Sequence, residues 1–188
     1  KPENLFIEVS GRLKVLDFGI ARVRAGVHTM AGTLLGTVAY MPQEQVKGDT
    51  VDARADLFAV GATMFSVLAG RSVHVASSDA ELALRMLTRA APPLASVSSE
   101  TPANVCLVVD RALAFLPERR YPDAQTMRGD VWALTRNQSP AYAKACLAAG
   151  LAPDVLVLPS EPPPPEPPAA MPGTDPQAPA FLEGRGGP

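Results

Sequence analysis

Apolar and polar residues change their spacing several times along the chain, and each change predicts a different element. Two short strand-like runs, 5–9 and 12–16, are separated by Ser10 and Gly11, where glycine can supply a positive φ. We therefore predict an antiparallel β-hairpin at the start. Residues 20–53 have no regular period and contain several glycines and a proline, so they are predicted to form a long irregular loop.

Helical spacing then dominates to about residue 150. From Arg54 to Ala69 apolar residues recur every three or four positions and few polar residues lie on any face, which predicts a buried central helix. Asp52 is its predicted cap, and Gly70 follows its end. Sequences that favour helix starts predict further helices at Ser78-Asp79-Ala80-Glu81 (to about Arg89), Thr101-Pro102 (to about Ala114), Pro122-Asp123 and Ser139-Pro140 (to Gly150). The predicted fold class is α+β, mainly helical with an N-terminal β-hairpin.

Proline becomes frequent after Pro159, in a segment that is poor in other apolar residues. Such a composition buries too little apolar surface to offset chain entropy, so we predict that residues 151–188 form a disordered, Pro-rich tail or linker. The run of prolines at 162–165 favours a polyproline helix and suits a polyproline-binding partner, although a flexible linker is the simpler interpretation.

Charge and cysteine content narrow the choice of partners and compartment. The net charge is −2 and no basic cluster is present, which argues against nucleic acid as a partner. Cys106 and Cys146 fit no metal or redox spacing and are interpreted as reduced, buried thiols of a cytosolic protein. No apolar run is long enough to cross a bilayer. We therefore expect a cytoplasmic location, which an anchor elsewhere in a longer protein would still allow.

Candidate chemistry lies on either side of the predicted hairpin. Asn4 directly precedes it and Asp17 directly follows it, so pairing of the strands would bring an amide oxygen and a carboxylate together. Mg²⁺ prefers such hard oxygen ligands and typically uses one or two of them together with phosphate and water. Lys1, three residues before Asn4, is close enough to reach a transferring phosphate.

Several motifs follow one another in a fixed order: Lys1-Pro2-Glu3-Asn4, Asp17-Phe18-Gly19, Gly36-Thr37-Val38-Ala39-Tyr40-Met41, Glu44, Asp56-Leu57-Phe58-Ala59-Val60-Gly61 and Arg120. In this order they resemble the C-terminal lobe of bacterial serine/threonine protein kinases of the eukaryotic type. The resemblance covers residues 1 to about 137 and implies a partial kinase domain. Residues 138–150 would add a short extra helix, and residues 151–188 the tail.

The resemblance implies roles for the residues near the hairpin. Lys1 would contact the γ-phosphate of ATP and the substrate hydroxyl, Asn4 would hold one Mg²⁺, and Asp17 would hold Mg²⁺ across the β- and γ-phosphates. Phe18 would pack behind the site, where its position separates active from inactive states. Gly19 would permit the backbone to turn.

The activation segment, residues 17–44, has its own implied roles. Thr37 would bond to the catalytic base and favour serine and threonine substrates. Thr29 and Thr33 are predicted autophosphorylation sites that would order the segment by pairing with basic residues.

Three further residues are implied structural anchors. Glu44 and Arg120 would form a buried pair that fixes the end of the activation segment, and Asp56 would orient the catalytic loop through its backbone. Gln43 stands where the family has proline, which predicts a small loss of backbone constraint.

The expected activity of the parent protein is ATP-dependent phosphorylation of protein serine and threonine residues. By the same resemblance, the catalytic aspartate and the ATP-anchoring lobe would precede Lys1. We therefore expect this chain alone to bind ATP weakly, to transfer no phosphate and to aggregate through exposed apolar surface, with the central helix lacking part of its packing. The alternative is a pseudokinase that acts as a regulatory or scaffolding domain.

Overall fold

The computed structural model describes residues 1–16 and 38–153 of the chain. The strands are β1 (Leu5–Ile7) and β2 (Leu13–Val15). The helices are α1 (Gln43–Lys47), α2 (Arg54–Ala69), α3 (Asp79–Thr88), α4 (Ala103–Ala112), α5 (Ala124–Thr135) and α6 (Ala141–Ala148), with 3-10 turns at Pro2–Asn4, Leu94–Ser96 and Pro117–Arg119. The predicted mainly helical α+β class is confirmed.

The N-terminal hairpin is present, with shorter strands than the sequence predicts. The two strands pair antiparallel with Phe6 opposite Lys14, and Gly11 makes the turn at a φ of 80°. The Glu8 amide still donates to the Arg12 carbonyl at 2.9 Å beyond the strands. Both faces of the hairpin leave apolar side chains exposed among the described residues, including Ile7 at 69%.

Helix α2 has the predicted bounds but not the predicted burial. The Asp52 carboxylate accepts from the Arg54 amide at 2.8 Å, and Gly70 ends the helix at a φ of 68°. One face is buried, whereas Val60, Val67 and Leu68 are exposed. The predicted burial of the helix is therefore incomplete on this side, where no described element packs over it, which agrees with the expectation that the central helix lacks part of its packing.

Close packing between α2 and α4 forms the centre of the core. A Cβ atom built on Gly61 would lie 2.8 Å from the Ala112 Cβ atom, so only glycine allows this approach. Two clusters of buried side chains lie along the contact. One contains Phe58, Ala62, Phe65, Val73, Leu94, Cys106, Val109 and Leu113, and the other contains Leu57, Val108, Ala112, Tyr121, Met127 and Ala143.

Helix α1 corrects the prediction that residues 20–53 lack regular structure. It begins after Pro42 and ends at Gly48, whose φ of 79° suits a glycine. With only five residues, α1 has too short an apolar pattern to be distinguished from a loop by periodicity.

Of the predicted helix caps, Ser78 and Asp123 cap through their side chains, whereas Asp52 and Thr101 are not the N-cap residues of their helices. Ser78 caps α3 by accepting from the Glu81 amide at 3.2 Å, but the Glu81 carboxylate bonds to Ser77 instead of returning to Ser78. Helix α4 starts directly after Pro102, and the Thr101 hydroxyl bonds to the Ser98 hydroxyl instead of capping the helix.

The last two helices are joined through a buried carboxylate. Asp123 caps α5 by accepting from the Thr126 amide at 2.7 Å, as its position predicts. Asp130, within α5, accepts from the amides of Tyr142 and Ala143 at the start of α6 and from the Tyr121 hydroxyl. This carboxylate satisfies amides that the first turn of α6 leaves without helical partners.

The predicted burial of the two thiols agrees with the structure, in which Cys106 and Cys146 are buried and unbridged. Within the described ranges, the helices are all too short or too polar to span a bilayer. Of the predicted tail, only residues 151–153 fall inside the described part of the chain.

Candidate functional site

Lys1 and Asn4 lie on one tight turn at the base of the hairpin. Pro2 starts this 3-10 turn, where a missing amide costs nothing, and the Asn4 amide donates to the Lys1 carbonyl at 3.0 Å. The turn packs against α2. Local backbone bonding therefore holds both predicted active-site residues on one tight turn.

The two ends of the hairpin meet at Asn4 and Leu16. The Leu16 amide donates to the Asn4 carbonyl at 2.9 Å, one step beyond the Leu5–Val15 pair. Leu16 directly precedes Asp17 in the sequence. The hairpin therefore brings Asn4 beside the point where the chain continues into Asp17.

Several predicted site residues lie outside the described part of the chain. They are Asp17, Phe18, Gly19, Thr29, Thr33 and Thr37. Within the described part, the Asn4 side chain is half-buried and forms no hydrogen bond to another described residue, so its amide oxygen is available to a ligand. An amide oxygen suits Mg²⁺, which takes few protein ligands when phosphate is bound. The described residues contain no cluster of three or more His, Cys, Asp or Glu side chains that would hold a metal independently.

Glu44 and Arg120, 76 residues apart, form a buried bidentate ion pair. The Arg120 Nη1 and Nη2 atoms donate to the two Glu44 carboxylate oxygens at 2.6 and 2.9 Å. Arg120 also donates to the carbonyls of Ala114, Arg54 and Phe115, and its guanidinium lies 4.9 Å from the Phe58 ring centroid. The Arg120 charge is thus compensated by Glu44, and the guanidinium donates five hydrogen bonds. A buried ion pair is stable under these conditions.

Gln43 takes over part of the anchoring at the position where the family has proline. It is buried at the start of α1, where its Nε2 atom donates to the Phe115 carbonyl at 3.2 Å. Its Oε1 atom accepts from Lys47 Nζ at 2.6 Å. The expected small loss of constraint is therefore offset by two side-chain bonds that proline cannot form.

The end of the activation segment also contacts the core through Tyr40. Its hydroxyl lies 3.4 Å from the Ser66 hydroxyl on α2, and its ring packs against the core cluster that contains Phe65. Asp56, by contrast, is exposed and makes no side-chain hydrogen bond to any described residue. Its predicted role in orienting the catalytic loop stays a prediction.

A cavity of about 390 Å³ lies beside Ala39, in the segment that resembles the peptide-binding region. The loop after α2 and the start of α3 line its other sides, with His74, Asp79 and Leu82 among them. Burial lowers the pKa of His74 to about 4, and the nearby positive charges of Arg85, Arg89 and Arg71 add to the effect. His74 is therefore neutral at pH 7.

Sequence reasoning missed the side-chain contacts of three residues: Gln43, Arg111 and Asp130. Arg111 is buried in α4 and donates to the carbonyls of Arg119 and Leu151, while its Nε atom has no partner among the described residues. All three are polar residues within helices, and each bonds to at least one backbone group that is distant in sequence. No local pattern in the sequence marks such contacts.

The order of motifs and the helical core around the Glu44–Arg120 pair define a class of protein. A model of the protein kinase domain matches residues 1–132, so the chain belongs to the protein kinase family. The predicted resemblance is thereby confirmed.

Individual relatives are bacterial kinases. The serine/threonine-protein kinase PknB of Mycolicibacterium smegmatis is 32% identical over 143 residues, which are 74% of this chain and 23% of that protein. A probable serine/threonine-protein kinase of Corynebacterium efficiens is 34% identical over 179 residues, covering 90% of this chain and 27% of the relative. The tyrosine-protein kinase MasK of Myxococcus xanthus is 34% identical over 125 residues, covering 66% and 19%. The chain spans about a quarter of the length of the first two.

Proposed function

We propose that this chain is the metal- and peptide-binding part of a kinase that transfers phosphate from ATP to serine and threonine residues of proteins. The observation that carries the proposal is the hydrogen bond between the Leu16 amide and the Asn4 carbonyl. This bond joins Asn4, the last residue of the motif that resembles a catalytic loop, to Leu16, the residue before Asp17 of the D-F-G motif. Phosphoryl transfer depends mainly on positioning and charge neutralisation, and this bond couples the two segments that would hold the metal.

The proposed roles follow from the chemistry of each side chain. Mg²⁺, when bound with ATP, neutralises charge on the phosphates, and the oxygens of Asn4 and Asp17 would hold it. The Lys1 ammonium would bind a γ-phosphate oxygen and stabilise the charge that develops on it. Because Lys1 and Asn4 share one turn, a change in either would disturb the position of the other.

The activation segment is proposed to supply the peptide site. The Glu44–Arg120 pair holds the C-terminal end of the segment against the helices, which would keep Thr37 in register with the acceptor hydroxyl. Phosphates on Thr29 and Thr33 would order the middle of the segment through charge-assisted bonds to basic side chains. We expect the substrates to be proteins in the cytoplasm.

The test uses the full-length protein that contains this chain, with ATP, Mg²⁺ and a general protein substrate. We expect Asp17→Asn to lower the transfer rate by about 10²–10³-fold or more, since it removes charge at the point where electrostatic stabilisation is largest. Asp49→Asn is the matched control: this exposed carboxylate has no side-chain hydrogen bond to a described residue, and activity should be unchanged.

Two results would contradict the proposal. A folded full-length protein that transfers no phosphate would support a pseudokinase instead. Phosphate found only on tyrosine would overturn the assignment to serine and threonine, which matters because one relative carries the name of a tyrosine kinase. Phosphopeptide mapping of the active protein would separately test Thr29 and Thr33.

A further inference from the structure

The turn at Pro117–Arg119 is bonded to a buried arginine of α4. Arg111 is 1% exposed, and its Nη1 atom donates to the Arg119 carbonyl at 2.8 Å. The Arg120 amide donates to the Pro117 carbonyl at 3.1 Å. The Arg119 carbonyl and the Arg120 amide belong to one planar peptide group. Arg111 and Pro117 therefore fix the plane of the peptide from which Arg120 extends.

Arg120 depends on the orientation of this peptide plane. Its guanidinium donates to both carboxylate oxygens of Glu44 and to the carbonyls of Ala114 and Phe115. These acceptors lie on two segments that are distant in sequence, so the bonds form together only when the direction of the Arg120 side chain is fixed. A rotation of the peptide plane would move the guanidinium away from Glu44.

The environment of Arg111 is costly for a cation. Within residues 1–16 and 38–153 its hydrogen-bond partners are carbonyl oxygens, and its Nε atom has none. A buried cation on neutral acceptors stabilises a core less than an apolar side chain of similar volume. Packing of α4 therefore does not explain an arginine at this position, whereas its two divergent donors do.

The second donor of Arg111 reaches the residues after α6. Its Nη2 atom donates to the Leu151 carbonyl. The Arg119 side chain adds a hydrogen bond to the Ala152 carbonyl at 3.3 Å. Leu151 and Ala152 are thus bonded to the same turn that leads into Arg120.

We propose that Arg111 is a positioning residue for the Glu44–Arg120 pair and couples that pair to the bonds of Leu151 and Ala152. With those two residues in place, the peptide plane is held and the pair is complete. With them released, the pair is weaker. The coupling does not require phosphate transfer, whereas its consequence for substrate binding, a looser end of the activation segment, rests on the proposed function.

A double-mutant cycle in the 188-residue chain measures the coupling. Glu44→Gln is made in the wild-type chain and in Arg111→Met, which keeps an unbranched side chain but removes the donors. Because the pair is already weakened in Arg111→Met, Glu44→Gln should shift the urea midpoint of unfolding there by about half of its wild-type shift or less. Arg111→Lys gives a second cycle with the same expected direction, since it keeps the charge but offers one nitrogen in place of a planar fork.

Cys106→Ala is the matched control for lower stability. Cys106 is buried in the first turn of α4, where its thiol donates to the Thr101 carbonyl, whereas Arg111 is in the last turn. Glu44→Gln should keep its full shift in Cys106→Ala. Equal shifts in the wild-type, Arg111→Met and Arg111→Lys chains would overturn the proposal. A reduced shift in Cys106→Ala would also overturn it, because the reduction would then follow from lower stability alone.

Leu151→Pro tests the bond to the residues after α6. Proline removes the amide that donates to the Cys146 carbonyl at 2.9 Å, and this releases Leu151 from Arg111. Hydrogen exchange of residues 42–49, measured by mass spectrometry, should then become several-fold faster, as in Arg111→Lys, and combining the two changes should add nothing. Leu147→Ala, at an exposed position of α6, should leave exchange unchanged. Wild-type exchange in Leu151→Pro would overturn the coupling to Leu151.

A positioning role also predicts a split between kinetic constants of the full-length protein. Arg111→Lys should raise KM for a protein substrate about fivefold or more and leave KM for ATP unchanged, because the pair lies at the end of the activation segment. Equal rises in both constants would overturn the positioning role. A full-length protein that transfers no phosphate would contradict the proposed function instead, and the urea cycle would still decide whether Arg111 and Glu44 are coupled.

Discussion

Two regions of the molecule differ in which side chains they bury. One is formed by the helices from Gln43 onward, and the other is the N-terminal turn and hairpin. Among the helices, even charged groups are buried with partners, as for Arg120, whose side chain is fully enclosed and which donates five hydrogen bonds. In the hairpin, apolar side chains such as Phe6 and Leu13 are more than half exposed among the described residues. One region encloses polar groups, whereas the other exposes apolar ones.

The difference shows which region supplies the partners of its own buried groups. The helical part pairs its buried charges from within, as in the Glu44–Arg120 pair, although α2 still leaves Val60 and Val67 exposed. The hairpin is held by its own backbone bonds and by contact of the Pro2–Asn4 turn with α2. The candidate metal ligand Asn4 therefore lies at the boundary between a packed region and one that leaves its apolar surface open.

The largest expected effect comes from breaking the buried pair. Glu44→Gln leaves the Arg120 guanidinium buried without a counter-charge and should lower the free energy of unfolding by about 3–5 kcal/mol. The same substitution in the hairpin, Glu8→Gln, removes a solvent-exposed pair with Lys14 and should cost less than about 1 kcal/mol. Urea unfolding followed by circular dichroism measures both. Equal losses would mean that the backbone carbonyls around Arg120 compensate its charge without Glu44.

An intermediate effect should follow from filling the contact between α2 and α4. Gly61→Ala places a Cβ atom against Ala112 at 2.8 Å and should cost about 1–3 kcal/mol through overpacking. Gly129→Ala is the matched control in α5, where the added atom meets nothing within 4 Å. There, better helix propensity should stabilise the protein by about 0.5–1 kcal/mol. Thermal unfolding midpoints that shift in the same direction for both variants would contradict the proposed close approach.

The smallest expected effect is a dependence of the free energy of unfolding on pH, which comes from His74 at the edge of the helical part. His74 has a folded-state pKa of about 4, below the ordinary value of 6.5, so the unfolded chain binds a proton first as the pH falls. The stability associated with neutral His74 is fully present above pH 6.5 and is lost between about pH 6.5 and 4. Between about pH 7 and pH 5 the loss should be at most about 2 kcal/mol.

The control for this effect is the second histidine of the chain. His74→Gln should flatten the dependence of the unfolding midpoint on pH between 6.5 and about 4, and His28→Gln should leave it as in the wild type. A slope that survived in His74→Gln would show that another group is responsible. Besides burial, the charges that lower the pKa of His74 are those of Arg85, Arg89 and Arg71.

Elements with a long apolar period, or with a glycine at a turn, were predictable from the sequence. The bounds of α2 agree with its apolar period, and the hairpin turn agrees with Gly11, because both depend on neighbours in the chain. The resemblance predicted that α2 lacks part of its packing, but the apolar period did not say that Val60 and Leu68 would be the exposed residues. Helix α1 was missed because five residues carry too little periodic signal.

For the candidate site, the sequence alone determined the order of motifs from Lys1 to Arg120, and with it the family to which the chain belongs. That order is a property of the linear chain and needs no coordinates. Only the tertiary structure decided how Glu44 and Arg120 share two hydrogen bonds, how Gln43 replaces proline, and how Asp130 and Arg111 hold α6 and the residues after it. Such contacts join groups 12 to 76 residues apart, so they depend on how the helices pack.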